Sequence, residues 1–160
     1  MKELKLRVLR LLSWLPDLWV VKLQYFVRHR RFANLSSPSL YTEKLQWYKI
    51  YYRDPLIKSC TDKYDVREFV ESRGYGHLLN DLYGVYERSE DINIDKLPHV
   101  FVMKSTTGGG GRNVIFVDRG KKEVSNESLR AAVSPWFKHG KKSAGREWAY
   151  YGLKPKVIAE

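Results

Sequence analysis

Four consecutive glycines at positions 108–111 separate two segments that have the composition of β-strands. Glycine loses more backbone freedom on folding than any other residue, so a run of four is costly. A plain hairpin turn needs only one or two glycines. Four in succession permit a close backbone approach to a ligand, with several N–H groups directed at one anion. The run therefore indicates a phosphate-binding loop; a surface hairpin without a ligand is the alternative.

Two cationic residues flank this glycine loop. Lys104 ends the strand that enters the loop, and Arg112 follows the last glycine. The loop is not a Walker A motif, in which Gly-Lys-Ser/Thr opens a helix, because Arg112 here opens a strand. The pattern favours a flexible flap over a nucleotide, with its lysine on the adjoining strand, as in protein kinases on another fold.

The composition excludes several classes of protein. With 43% hydrophobic residues in a chain of 160, a folded core is expected rather than disorder. Cys60 is the single cysteine, so neither an intramolecular disulfide nor a thiolate zinc site is possible, and we interpret it as a buried structural residue. No apolar run reaches the roughly 18 residues of a membrane span, and the charged N-terminus is unlike a signal peptide. We therefore expect a cytoplasmic protein.

The net charge of +11 favours polyanionic partners. Residues 1–53 carry +8 of it and residues 54–160 only +3. A nucleotide, an acidic polysaccharide or the anionic inner face of a membrane would each suit this charge. No signature of a nucleic-acid-binding fold is present, so no nucleic acid is expected. The basic N-terminal region is either a peripheral membrane-binding face or an ordinary solvated helical surface.

The apolar periodicity predicts helices first and strands later. The predicted helices cover residues 3–14, 17–31, 42–52, 61–74 and 126–138, and the predicted strands cover 78–86, 99–104, 113–118 and 156–160. These elements predict an α+β fold with a helical, basic region over 1–53 and an antiparallel-rich sheet, carrying the flap, within 54–160.

Three details of the helices bear on function. The predicted buried stripe of the second helix consists of Trp19, Val20, Leu23, Phe26 and Val27. Glu43 and Trp47, at helical spacing, are interpreted as capping and packing residues rather than catalysts. Asp62 is expected to cap the fourth helix rather than to bind a metal.

Several motifs resemble the TupA-like branch of the ATP-grasp enzymes. Residues 101–114, Phe-Val-Met-Lys-Ser-Thr-Thr-Gly-Gly-Gly-Gly-Arg-Asn-Val, resemble the first nucleotide-binding segment of ATP-grasp enzymes. Residues 38–47, 62–68, 97–98 and 154–160 resemble the TupA-like branch in the same order. That branch is associated with teichuronopeptide and other bacterial surface-polysaccharide biosynthesis, and its members are sometimes labelled glycosyltransferases.

The resemblance assigns roles to eight residues. It implies that Lys63 and Lys104 contact ATP phosphates and that the final strand leads into the hinge that recognises adenine. Without the resemblance, Lys63 would be interpreted as an exposed lysine at the start of a helix. The remaining implied cofactor-binding residues are Gly108, Gly109, Gly110 and Gly111 as the flap, Arg112 as its closing residue, and Glu160 at the rim of the hinge.

The implied activity is that of an ATP-dependent carboxylate–amine ligase that forms an acyl phosphate. Because the chain ends where the hinge would begin, we expect the second lobe of the fold to be absent from it. That lobe supplies the magnesium ligands, so Mg²⁺ is expected only with it and no catalytic residue is assigned here. The chain is then a truncated portion of a longer protein, or a short member that has lost catalysis.

Two alternatives come from other classes of protein. The first is a glycosyltransferase that uses a nucleotide sugar. No Asp-x-Asp motif is present, which argues against one metal-dependent class of such enzymes. The second alternative is a non-catalytic, basic membrane-surface module.

Overall fold

The computed structural model describes residues 14–109, 111, 113–138 and 145–160. The helices are α1 (Asp17–His29), α2 (Tyr41–Tyr51), α3 (Pro55–Thr61), α4 (Asp65–Ser72) and α5 (Asn126–Val133), and the strands are β1 (Gly84–Tyr86), β2 (Val100–Ser105), β3 (Val114–Asp118) and β4 (Val157–Ala159). The strands form one antiparallel sheet in the order β1-β4-β2-β3. The predicted α+β class is confirmed, while the predicted helix over 3–14 lies outside the described residues.

The chain divides into two compact units. The helical unit comprises residues 1–55 and 140–151, and the sheet unit comprises residues 56–139 and 152–160. In the helical unit, α1 and α2 pack around a small core. Its buried members are Tyr25, Ala33 and Leu35, with Leu18 and Trp47 packed against them. The interpretation of Trp47 as a packing residue is therefore confirmed.

The prediction for the buried face of α1 is largely wrong. Val20 is buried, but the other four predicted residues, Trp19, Leu23, Phe26 and Val27, are between 36% and 64% exposed. The buried positions are Val20, Val21 and Tyr25. Apolar residues occupy both sides of this helix, so periodicity alone defines two stripes. The side that carries Tyr25 faces the core, because Ala33 and Leu35 are available there.

The sheet unit has its core on one face of the sheet. The buried cluster contains Ile92, Ile94, Leu97, Phe101, Met103, Val117, Leu129, Val133, Val157 and Ala159. Side chains alternate between the two faces of a strand, so Val102 and Lys104 of β2 lie on the face opposite to this core. That opposite face carries the candidate site.

Several element boundaries differ from the predictions. Of the predicted strand 78–86, only Gly84–Tyr86 pairs with a neighbouring strand, and it pairs with β4. The predicted helix 126–138 ends at Val133, and a 3₁₀ turn at Ser134–Phe137 contains the proline that prevents its continuation. Cys60 is exposed, so its interpretation as a buried residue is also wrong.

Glu43 organises the connection between α1 and α2. Its carboxylate accepts hydrogen bonds from the backbone N–H groups of Leu40 (3.2 Å), Asn34 (3.2 Å) and Ser39 (3.3 Å), and it pairs with Arg31 at 3.4 Å. The hydrogen bonds from the Leu40 and Asn34 N–H groups, chiefly, lower the pKa of this carboxyl. The predicted capping role of Glu43 is confirmed.

We predict that Glu43→Gln destabilises the chain in a pH-dependent manner. Because the folded-state pKa lies below the unfolded-state value of about 4.3, the carboxylate stabilises the fold above that pH. This contribution disappears as the pH falls through the folded-state pKa. The difference in Tm between wild type and Glu43→Gln, measured by circular dichroism, should be largest near neutral pH and shrink below about pH 4. Glu123→Gln, which alters an exposed loop carboxylate, is the matched control, and a pH-independent difference for Glu43→Gln would contradict the prediction.

Candidate functional site

The pairing of β2 with β4 brings Lys104 and Glu160 together. Lys104 lies opposite Ile158, and the backbone of Glu160 exchanges two hydrogen bonds with Val102, at 2.7 and 3.0 Å. Lys104 and Glu160 are thus diagonal neighbours on one face of the sheet. Their side chains form an ion pair at 2.5 Å. With only 26% of Lys104 and 11% of Glu160 exposed, this pair is shielded from water more than a typical surface ion pair.

The Glu160 carboxylate also receives donors from outside the sheet. Arg67 Nη1, from α4, lies 3.3 Å from one carboxylate oxygen, and Asn80 Nδ2 lies 3.3 Å from the other. Arg67 additionally donates to the backbone carbonyl of Asn80 at 2.8 Å. The carboxylate therefore joins a helix, a loop and a strand of the sheet unit through charge-assisted hydrogen bonds.

Lys63 lies at the base of the glycine loop. Its ammonium donates to the backbone carbonyls of Ser105 (3.1 Å) and Thr106 (3.2 Å), and it makes a further short contact with the carbonyl of Gly108. Its backbone N–H donates to Thr106 O at 3.0 Å. Three carbonyls at the entrance of the loop are thereby held by one cation.

Asp62 fixes Lys63 in this position. The Asp62 carboxylate is buried and accepts hydrogen bonds from the backbone N–H groups of Tyr64 (2.8 Å) and Asp65 (3.2 Å), at the start of α4. This is the capping role expected from the sequence, and it is confirmed. The next residue, Lys63, is therefore directed from the beginning of a helix toward the loop.

Burial lowers the pKa of the Lys63 ammonium. The nearby positive charge of Lys104 lowers it further, whereas the carboxylates of Asp62 and Glu160 raise it. The cluster of Lys63, Lys104, Arg67 and Glu160 is thus electrostatically coupled. Together with Asp62, it comprises three cationic side chains and two carboxylates at the end of β2, where the glycine loop begins.

The glycine loop is described at Gly108, Gly109 and Gly111. Gly108 donates its N–H to Ser105 O at 3.3 Å, in a turn that leads out of β2. Gly111 has a φ of 70°, a conformation that residues with a side chain rarely adopt. A Cβ atom on Gly109 would meet no atom within 4 Å, so this part of the loop is open. The predicted site residues Gly110 and Arg112 lie outside the described residues.

Apolar side chains continue the same face of the sheet away from the loop. Val100 and Val102 of β2 share the face of Lys104, and Phe116 of β3 lies directly opposite Val102. Phe116 is 82% exposed and Val100 is 63% exposed. An exposed phenylalanine in a paired strand marks a surface that is available to a ligand or partner.

Comparison with protein families agrees with this geometry. The family described as TupA-like ATPgrasp matches residues 43–160. The chain belongs to this TupA-like ATP-grasp family. Searches of curated proteins and of solved structures found no significant match. The family match covers the whole cluster around Glu160, including α4 and the glycine loop.

The TupA-like chain brings together four of the predicted site residues: Lys63, Lys104, Gly108 and Glu160. Sequence reasoning did not assign Arg67, Asn80 or Phe116 to the site. Arg67 was within a motif that resembles the family, but its partner is 93 positions away in the chain. Phe116 could have been found from the alternation of side chains along a strand. Val117 faces the core, so its neighbour Phe116 lies on the opposite face of the sheet.

Among the residues that the structure describes, no three His, Cys, Asp or Glu side chains are grouped as a metal site. In the same part of the chain, no helix combines the length and apolar character needed to span a membrane. The candidate site of this TupA-like ATP-grasp chain consists of the cations around Glu160, the Glu160 carboxylate itself and an apolar strand surface.

The charge coupling predicts two opposite shifts in the pKa of Lys63. Glu160→Gln removes a negative charge and should lower this pKa further, whereas Lys104→Met removes a like charge and should raise it. Both shifts can be followed by NMR titration of the lysine side-chain ammonium groups. The control is Lys122→Met, which changes the net charge by the same amount as Lys104→Met. It should leave the pKa of Lys63 unchanged. Shifts of the same sign in Glu160→Gln and Lys104→Met would refute the coupling.

Proposed function

We propose that the sheet unit binds ATP, with the triphosphate under the glycine loop, as the nucleotide-binding part of a carboxylate–amine ligase. The observation that carries this proposal is the cluster of Lys104, Lys63 and Glu160 at the loop entrance in a TupA-like ATP-grasp chain. ATP-grasp proteins generally bind ATP together with Mg²⁺. The site supplies cations for the phosphates and an apolar surface for the base.

In the proposed complex, Lys104 is the principal phosphate ligand. Its ammonium is at the sheet surface, and its present partner Glu160 carries a single negative charge. A triphosphate carries several negative charges and can compete for the same ammonium. Lys63 holds the loop carbonyls and contributes positive potential from below, while the open backbone around Gly109 closes over the phosphates.

The adenine base would lie against the apolar strand surface of Val100, Val102 and Phe116. This surface is on the same face of the sheet as Lys104, and its residues Val100 and Phe116 are exposed. Glu160 follows β4 and would lie at the rim of the adenine site. Arg67 and Asn80 hold its carboxylate, so they act as positioning residues.

The proposed reaction has two steps. A substrate carboxylate oxygen attacks the γ-phosphorus of ATP, forming an acyl phosphate and releasing ADP. An amine then attacks the acyl carbon and releases phosphate. The family's link to surface polysaccharides suggests an acidic sugar polymer, or its precursor, as the carboxylate substrate. The net charge of +11 supports an acidic substrate. No catalytic residue is assigned in this chain.

We predict that Lys104→Met weakens ATP binding by about 10- to 100-fold, measured by titration calorimetry on the full chain. A hydrogen bond to a charged group contributes roughly 1.5–3 kcal/mol, and about 1.4 kcal/mol corresponds to a tenfold change in affinity. Lys122→Met removes the same charge from an exposed loop and should leave the affinity unchanged.

Two outcomes would contradict the proposal. The first is an ATP affinity that Lys104→Met leaves unchanged. The second is tighter binding of a nucleotide sugar such as UDP-glucose than of ATP by the same chain. The second outcome would favour the alternative of a glycosyltransferase.

A further inference from the structure

The outward face of α1 is apolar. Trp19, Leu23 and Phe26 recur at a spacing of four and three residues and form one stripe, with Val27 beside it. Trp19 is 64% exposed, Val27 is 54% exposed and Leu23 is 45% exposed. A surface helix normally presents polar residues on its outward face. On α1 this face carries large apolar side chains instead.

The apolar surface extends beyond the helix. Phe32 is 64% exposed, and its ring stacks on that of Phe26 with the centroids 4.7 Å apart. An open cavity of about 480 Å³ adjoins the stripe. It is lined by Leu15, Trp19, Lys22, Leu23, Phe32 and Ala33. Contiguous apolar surface of this kind is uncommon in soluble proteins and marks an interaction site.

Cations border this surface. Arg28 and Arg30 are exposed at the C-terminal end of α1, and the ammonium of Lys22 lies 5.9 Å from the Trp19 ring. Asp17 is the only acidic residue between positions 14 and 42. Its carboxylate pairs with Arg146 at 3.2 Å and accepts a hydrogen bond from the Tyr151 hydroxyl at 3.0 Å. The surface around the stripe is therefore positive.

We propose that this face of α1 binds the surface of an anionic membrane. An interfacial helix places its apolar side in the headgroup region, and Trp and aromatic rings favour that depth. Lysine and arginine at its borders then contact anionic headgroups, and each such cation strengthens binding by about fivefold. The stripe supplies the apolar contact, and Lys22 beside Trp19 and Arg30 at the end of the helix supply the charge.

Charge also distinguishes this occupant from a second copy of the chain. Self-association through the stripe would place two copies of a positive segment against one another, because residues 14–42 hold four lysines and arginines and only one acidic residue, Asp17. Like charges at such an interface oppose association. An anionic bilayer complements both features of the face, and this inference does not depend on ATP binding by the sheet unit.

The proposal is tested by sedimentation of the full chain with vesicles. Vesicles of phosphatidylcholine mixed with phosphatidylglycerol should bind the chain, and vesicles of phosphatidylcholine alone should not. Leu23→Glu combined with Phe26→Glu should reduce binding by about tenfold or more, because it places charge in the apolar stripe. Leu78→Glu, which alters a 69% exposed leucine of the sheet unit, is the matched control and should bind like wild type.

A second pair of variants tests the cations without touching the apolar stripe. Lys22→Gln with Arg30→Gln should weaken binding by about 25-fold, and added salt should reduce the difference from wild type. Lys121→Gln with Lys122→Gln removes the same charge from the sheet unit and should have a much smaller effect. Calorimetric titration of each variant with ATP shows whether a change in membrane binding is independent of nucleotide affinity at the proposed site.

Three results would overturn the proposal. The first is no binding to the phosphatidylglycerol vesicles. The second is an equal loss of binding in the stripe variant and in Leu78→Glu. The third is a dimer in light scattering that the Leu23→Glu and Phe26→Glu variant dissociates, since this would assign the face to a second copy.

Discussion

The antiparallel pairing of β4 with β2 is the constraint on which the candidate site depends. It sets Glu160 across from Val102 and diagonal to Lys104, so the carboxylate and the ammonium share one face of the sheet. A slip of one residue in this register would send Glu160 to the opposite face. The core opposes such a slip, because it would remove the fully buried Val157 and Ala159 from their cluster with Phe101 and Met103. Packing on one face of the sheet therefore fixes the chemistry on the other.

Hydrogen bonds of Thr106 hold the base of the glycine loop. Thr106 is fully buried and forms hydrogen bonds with Lys63 and Lys156. Its carbonyl accepts the Lys63 N–H, and its own N–H donates to Lys156 O. Its hydroxyl accepts the Lys156 N–H at 3.1 Å. These bonds connect the end of β2, the segment before β4 and the start of α4. Beyond Gly108, a Cβ atom built on Gly109 or on Gly111 would meet no atom within 4 Å. A base held by these hydrogen bonds is compatible with the proposed closure of the loop over a nucleotide.

The residues alone indicate the local parts of the site, the family resemblance adds Lys63 and Glu160, and neither assigns Arg67 or Asn80, which hold Glu160 from distant positions. Lys104 and the glycines were evident because one short segment contains both the strand and the loop. Arg67 was not assigned, since its role arises only when α4 lies beside the end of β4, 93 residues later. The buried face of α1 was predicted wrongly for a related reason. Both sides of that helix are apolar, and only the tertiary position of Tyr25 decides which side is buried.

An acidic residue beside proposed phosphate ligands is at first unexpected, because it opposes the binding of an anion. The charges of the cluster explain its presence. Lys63, Lys104 and Arg67 place three positive charges in a partly buried region, and burial already lowers the pKa of Lys63. Without Glu160, mutual repulsion would favour loss of a proton or outward movement of a side chain. The negative charge of Glu160 raises the pKa of Lys63, and its carboxylate pairs with Lys104 and Arg67. The carboxylate lowers the net attraction for phosphate, but it preserves the arrangement that phosphate would bind.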